Sequence, residues 1–331
     1  MADNGALLRV DDLAVEFNTD EGVVHAVNGI SYELNAGDSL GIVGESGCGK
    51  SVSSLAIMGL VARPAGKVSR GSIEFRGRDL LKVEADAMRQ IRGKQIAMIF
   101  QDPMSSLNPV FPVGRQIEES VQLHLGMDKA QARAKAVELL DTVGIPAPEE
   151  RVKDYPHQLS GGMQQRAMIA MAISCQPDLL IADEPTTALD VTIQAQVIEL
   201  LAELRRELGM AVILITHELA LVAGFCDRVA VMYAGFIVEY APVHELFARP
   251  QHPYTLGLMQ AVPTITGDRS EKLSNIPGSP PDLIGLPQGC PYAPRCPYVR
   301  DACLTMVPDL VDRGAGHPVR CIVDPATGEL R

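Results

Sequence analysis

Three hydrophobic textures follow one another along the chain. Residues 6–40 alternate apolar and polar positions in the runs Leu7 to Val10, Leu13 to Phe17 and Ile30 to Leu34, with turn-forming stretches at 18–22 and 35–38. A period of two sends successive side chains to opposite faces, so this region predicts a small antiparallel sheet. Gly71 to Phe75 returns as a further strand, with a turn at 76–78. The second texture is a short apolar run with few polar breaks: Ser39 to Val43, Ile96 to Phe100, Asp178 to Asp183 and Ala211 to Thr216. Such runs predict strands buried in a core. The third has helical spacing. Val52 to Met58 reads as the opening of a helix, Ala132, Ala136, Leu139, Leu140 and Val143 share a face, and so do Val191, Val197, Leu200, Leu201, Leu204 and Leu208. From about 103 to 175 helical segments dominate, with Pro103, Pro109, Pro112, Pro146 and Pro148 breaking their ends. Strands interleaved with helices predict an α/β domain carrying a mostly helical insertion.

The buried strands end in polar chemistry. After Val43 the chain reads G-E-S-G-C-G-K-S, from Gly44 through Glu45, Ser46, Gly47, Cys48, Gly49 and Lys50 to Ser51. This matches the phosphate-binding loop in its required setting, between a strand and a helix. Glycines let the backbone curl so that its N–H groups point at phosphate oxygens, and the helix start adds partial positive charge. Lys50 is expected at the β- and γ-phosphates and the Ser51 hydroxyl on Mg²⁺. Val52 offers a backbone N–H and no hydroxyl. Gln101 follows the strand at 96–100, and the strand at 178–183 closes on the adjacent acids Asp183 and Glu184. Two carboxylates at the end of a buried run are no packing solution, and alternation lets one orient a metal while the other activates water. His217 follows the strand at 211–216. Ser160, Gly161 and Gly162 open a helix and make a second candidate anion site. Phe17 is placed to stack on a base, or equally to pack on a sheet face.

Charge and composition narrow the function. The 331 residues carry a net charge of −12, which argues against a nucleic-acid surface. No apolar run has membrane-spanning length and the start has no secretory pattern, so a cytosolic or cytosol-facing protein is expected. Twelve of the 23 prolines lie in 251–331, a loop-rich stretch with little core of its own that needs a staple. Cys290, Cys296, Cys303 and Cys321 cluster there with the spacing C-x5-C-x6-C-x17-C. Structural zinc usually uses tighter pairs, so four loosely spaced thiolates favour a [4Fe–4S] cluster, with zinc or unligated thiols as alternatives. Cys48, Cys175 and Cys226 read as small buried hydrophobes. For Arg295 and Arg300 near the cluster the default reading is solvated charge, the alternative of docking a partner having no support from spacing.

The ordered set of phosphate loop, Gln101, L-S-G-G at 159–162, Asp183–Glu184, A-L-D at 188–190 and His217 resembles the ATP-binding subunits of ABC transporters. The resemblance spans residues 6 to about 245. The stretches F-Q-D-P-M-S-S-L-N-P at 100–109, A-D-E-P-T-T-A-L-D-V-T at 182–192 and H-P-Y-T-L-G-L-M at 252–259, with the late cysteines, resemble the peptide-importer branch. The resemblance implies a phosphate-loop ABC ATPase domain over 1–250 (RecA-like core, antiparallel subdomain, helical insertion at about 103–175) and a cysteine-bearing extension over 251–331. It implies Phe17 stacked on adenine, with His25 a weaker candidate. Ser51 and Gln101 would ligate Mg²⁺, Asp183 would hold its water shell, and Glu184 would be the general base. His217 would meet the γ-phosphate, Ser160 and Gly162 would reach ATP held by a partner subunit, and Asp190 would cross the dimer. It further implies a second, related ATP-binding subunit in a heterodimer, two membrane permease subunits and an extracytoplasmic peptide-binding protein, no nucleic acid, and a site on the cytoplasmic face of the inner membrane. The expected cargo is di- or short oligopeptides, the alternatives being nickel, haem or antimicrobial peptides, or a soluble ABC-type ATPase outside transport. The extension of this branch is associated with a [4Fe–4S] cluster.

Overall fold

The computed structural model describes residues 5–187, 189–261, 276–314 and 316–331. Ala188 of the A-L-D motif and part of the 251–331 extension lie outside them.

Strand β1 (Leu8–Thr19) is continuous, although the sequence pattern reads as two runs. The break is a bulge: Asp12 takes φ 47° and the register shifts between Val10 and Leu13. One extra residue resets the alternation, so that Leu8 and Val10 before it and Leu13 and Val15 after it all face inward. β2 (Gly22–Leu34) pairs antiparallel with β1. Then come β3 (Ser39–Val43), α1 (Lys50–Ile57) and β4 (Gly66–Phe75), the last starting earlier than the pattern implies. Arg76 and Gly77 both have positive φ, the turn that joins twisted strands in a two-residue hairpin, and lead into β5 (Arg78–Asp79). α2 (Ala85–Ile91) precedes β6 (Ile96–Ile99).

The stretch between β6 and the next strand is helical. It holds α3 (Pro103–Ser106), α4 (Val113–Leu125), α5 (Lys129–Thr142), α6 (Pro148–Arg151) and α7 (Gly161–Ile173). Asp128 and Gln131 form a capping box at the start of α5, satisfying N–H groups that the helix cannot. α4 buries Val113, Ile117 and Val121, and α5 buries Ala132, Ala136, Leu139 and Leu140, where the two pack together. β7 (Leu179–Asp183), α8 (Val191–Leu208), β8 (Ala211–Thr216) and α9 (Leu219–Phe225) follow. β9 (Arg228–Tyr233), β10 (Phe236–Pro242), α10 (Val243–Ala248), α11 (Pro253–Gln260), α12 (Asp301–Thr305), β11 (Val311–Asp312) and β12 (Pro318–Val319) complete the chain.

The chain packs as two units. The first comprises the described residues of Met1–Leu34, Ser39–Leu81 and Thr216–Arg331. It holds the antiparallel sheet β2-β1-β4-β5 and the strand series β11-β12-β10-β9-β3, in which only β9 and β3 run parallel. The extension belongs to this unit: Val319 of β12 pairs with Glu239 of β10, and His25 of β2 donates its N–H to Leu283 O. The second unit, Asn35–Asp38 and Lys82–Ile215, has β8-β7-β6 as parallel neighbours together with the helical stretch. β3, β7 and β8 are buried at every position, as unbroken apolar runs require. Among the described residues no helix is long and apolar enough to cross a membrane.

Candidate active site

The phosphate loop links β3 to α1 in the first unit. Its first and sixth positions have no room for a side chain. A Cβ on Gly44 would lie 2.2 Å from Met232 O, and one on Gly49, whose φ is +100°, would lie 2.2 Å from Ala26 O. The loop is therefore pressed against β9 on one side and β2 on the other. Ser46 and Gly47 form its exposed tip. Lys50 is 4% exposed and folds back into the loop, its Nζ donating to Gly44 O at 2.7 Å and Glu45 O at 2.9 Å. Ser53 Oγ donates to Lys50 O, bracing the first turn of α1. Ser51 and Val52 follow Lys50, both half-buried. The Cys48 thiol is buried 3.9 Å from Lys50 Nζ, and desolvation pushes its pKa up against the pull of that ammonium. It packs as a neutral, unreactive side chain.

Phe17 is half-buried near the end of β1, opposite Val24 and Gly66. A Cβ on Gly66 would meet its ring at 2.6 Å, so the ring lies along that glycine. His25 lies 3.5 Å from Glu16, which Lys67 also approaches at 3.4 Å.

The second unit gathers Gln101, Asp183 and Glu184 where β6 and β7 end side by side. Asp183 is buried in register with Ile215 of β8. Glu184 takes φ +45°, a strained conformation for a side chain with a Cβ, and donates its N–H to Ile215 O at 2.9 Å. This turn swings the Glu184 side chain out of the strand's alternation. Its Oε2 accepts from Gln101 Nε2 at 3.0 Å and from Thr187 Oγ1 at 2.9 Å. Thr187 is a site residue that the sequence reading missed. The available signal was a hydroxyl three residues after the acid, within one-turn reach.

Ser160, Gly161 and Gly162 sit on a different element, the start of α7. Ser160 is the exposed N-cap and accepts from Met163 N at 3.4 Å. Gln164 is buried behind it and ties the helix to Pro156 O and Leu159 O. Asp190 caps α8, its Oδ1 accepting from the N–H groups of Thr192 and Ile193. His217 is exposed directly after β8.

Arg300 is exposed, but the Arg295 side chain is only 5% exposed and is no solvated charge. It makes a bidentate pair with Glu45 of the phosphate loop, Nη1 to Oε2 at 2.6 Å and Nη2 to Oε1 at 2.9 Å. The four late cysteines all line one small pocket, with His252, Tyr292, Tyr298 and Arg320 among its walls. Burial raises the thiols of Cys290 and Cys296 to about 11 and also raises that of Cys321. All four are without disulfides. Among the described residues, no group of three or more His, Cys, Asp or Glu is arranged to hold a metal ion.

Two family models match, described as ABC transporter over residues 27–187 and as the oligopeptide/dipeptide transporter C-terminal region over 238–303. The chain is 52% identical over 316 residues to the dipeptide transport ATP-binding protein DppD of Escherichia coli, covering 96% of each chain. It is 51% identical over 315 residues to the oligopeptide transport ATP-binding protein OppD of Haemophilus influenzae, covering 95% of this chain and 94% of that one. Among solved structures, the ATP-binding cassette MJ0796, in a dimeric post-hydrolysis state bound to ADP and Pi, aligns with TM-score 0.65 and 25% identity. That alignment covers 71% of this chain and 98% of MJ0796. A second solved structure, cbiO1 of Clostridium perfringens, part of the ABC transporter complex cbiONQ, aligns with TM-score 0.62 and 28% identity, covering 73% of this chain and 91% of that one. With near full-length identity above one half, the chain belongs to the family of ABC-transporter ATP-binding subunits, in its oligopeptide/dipeptide branch.

Proposed function

We propose that this chain hydrolyses ATP to power the import of dipeptides or short oligopeptides. The observation that carries the reading is Glu184, held at the end of β7 by Gln101 and Thr187, in a chain whose β3–α1 connection is a phosphate loop. Phosphoryl transfer is mainly positioning and charge neutralisation. Lys50 exchanges its two loop carbonyls for β- and γ-phosphate oxygens, and the N–H groups of residues 44–52 cradle the chain of phosphates. Glu184 accepts the proton of the attacking water. Phe17 stacks on adenine, and His217 meets the γ-phosphate. Ser51, Gln101 and Asp183 supply hard oxygen donors of the kind Mg²⁺ prefers, and the bound ion would neutralise charge developing on the phosphates. Gln101 bonds Glu184 through its Nε2, and its carbonyl oxygen would be the atom that holds the metal.

Ser160, Gly161 and Gly162 face ATP held by a second, related subunit, and Asp190 lies at that interface. ATP then joins two subunits and its hydrolysis separates them. Two membrane permease subunits turn that cycle into transport on the cytoplasmic face of the inner membrane, fed by an extracytoplasmic peptide-binding protein. The domains implied are the ATPase over 1–250, its insertion at about 103–175, and the extension over 251–331.

Thr187→Val tests how the base is held. The change keeps volume and removes one hydrogen bond to a carboxylate, an interaction of about 1.5–3 kcal/mol. kcat for ATP hydrolysis is expected to fall roughly tenfold while KM for ATP holds. An unchanged kcat would remove Thr187 from the account.

The cysteine pocket has four soft donors on one cavity, which suits a [4Fe–4S] cluster held by one sulfur per iron. Ligation must displace the protons that burial keeps on Cys290 and Cys296. Anaerobically purified protein is expected to carry about four irons and a visible absorption band, both lost in Cys303→Ser. Zinc, or no metal, would refute the cluster and leave the ATPase reading standing.

A further inference from the structure

Arg295 and the phosphate loop stand 250 residues apart in sequence, and the fold joins them through a fully used guanidinium. Nη1 and Nη2 take both oxygens of Glu45. The remaining donors go to Pro277 O at 2.9 Å, Ile276 O at 3.4 Å and the Tyr233 hydroxyl at 3.3 Å. All five N–H groups are thus engaged, so the fork is fixed in direction as well as charge. A second bond reaches the same loop residue, from Glu45 N–H to the Tyr254 hydroxyl at 2.8 Å. Tyr254 is fully buried in α11 and packs against Tyr233 and Tyr292, with ring centroids 4.7 and 5.4 Å away. The peptide group whose N–H bonds Tyr254 carries Gly44 O, on which Lys50 Nζ rests at 2.7 Å.

We propose that the C-terminal extension positions the phosphate loop, with Arg295 as a positioning residue that fixes and neutralises Glu45 so that the loop accepts a polyanion. The inference rests on the reading that residues 44–51 bind the phosphates of ATP. A carboxylate at the second position of an anion-binding loop repels the ligand, and a bidentate guanidinium cancels that charge where solvent screens it little. Lysine in its place keeps the charge and loses the fork. Without the cation, the carboxylate is left partly buried and unpaired beside the nucleotide's phosphates. The extension thereby takes part in nucleotide binding itself, through contacts that a cassette ending near residue 250 would lack.

The test is titration calorimetry of the full-length protein with Mg-loaded, non-hydrolysable ATP analogue and with AMP. Four variants are compared with wild type: Arg295→Met, Arg295→Lys, Glu45→Gln and the double change. Arg295→Met is expected to weaken the triphosphate at least about tenfold and AMP much less, because the unpaired charge acts on the added phosphates. Arg295→Lys falls between. The double variant is expected to return to within about threefold of Glu45→Gln alone, since removing the stranded carboxylate removes the repulsion. Equal triphosphate affinity in wild type and Arg295→Met overturns the inference and leaves the ATP reading intact. So does a double variant as weak as Arg295→Met, or an equal loss for AMP and triphosphate, either of which would mark loop collapse instead of charge. If Arg295→Met does not fold, Arg295→Lys and the double variant carry the same comparison. Wild-type protein that binds no triphosphate would instead overturn the reading on which the inference stands.

Discussion

Glu184→Gln is expected to keep ATP binding and to lower hydrolysis by about 10²- to 10⁴-fold, the usual contribution of a positioned general base. The amide has almost the same shape, so Gln101 and Thr187 can still hold it, and the loop that carries it keeps its bond to Ile215 O. What it loses is the ability to take a proton from water. With hydrolysis stopped and binding intact, ATP stays between the two subunits, and the assembly is expected to accumulate as a closed dimer on gel filtration in ATP and Mg²⁺. Full turnover by the purified variant complex would refute the assignment of the base.

Lys50→Ala acts one step earlier. Its ammonium is the buried cation of the phosphate loop, held within 3 Å of two loop carbonyls. Truncation removes the phosphate contacts and also leaves Gly44 O and Glu45 O without their donor. Hydrogen bonds to charged groups contribute about 1.5–3 kcal/mol each, so losing two weakens ATP by about 100-fold or more. Calorimetry should find little or no binding at concentrations that saturate wild type. Unchanged affinity would remove Lys50 from the site. The two variants separate the halves of the reaction: one blocks entry of the nucleotide and the other blocks its exit.

How much of this was legible in the sequence depended on distance along the chain. The phosphate loop could be read because strand, glycines, lysine and helix are contiguous, and the structure adds only why Gly44 and Gly49 admit no side chain. Gln101, Asp183 and Glu184 could be read because a polar residue closing a buried strand has no packing role. Thr187 escaped because its bond depends on the left-handed backbone of Glu184, which no local pattern announces. The bulge at Asp12 escaped for a related reason: a one-residue phase reset makes a single strand look like two. Arg295 was misread because its partner lies 250 residues earlier. Placed among prolines and cysteines with no periodicity, it showed no sign that it would be buried. The pocket shared by the four cysteines likewise depends on long-range contacts such as Cys290 N–H to Cys303 O, which spacing alone does not contain.

The most direct test of the account is dipeptide uptake by proteoliposomes holding the complete purified transporter, with ATP and Mg²⁺ supplied on the side of this subunit. Wild type is expected to accumulate labelled dipeptide only when ATP is present, with phosphate released in step. The complex carrying Glu184→Gln is expected to do neither. Uptake at the wild-type rate by that variant, or ATP-driven hydrolysis that moves no peptide in wild type, would contradict the claim that this chain's ATPase site powers peptide import.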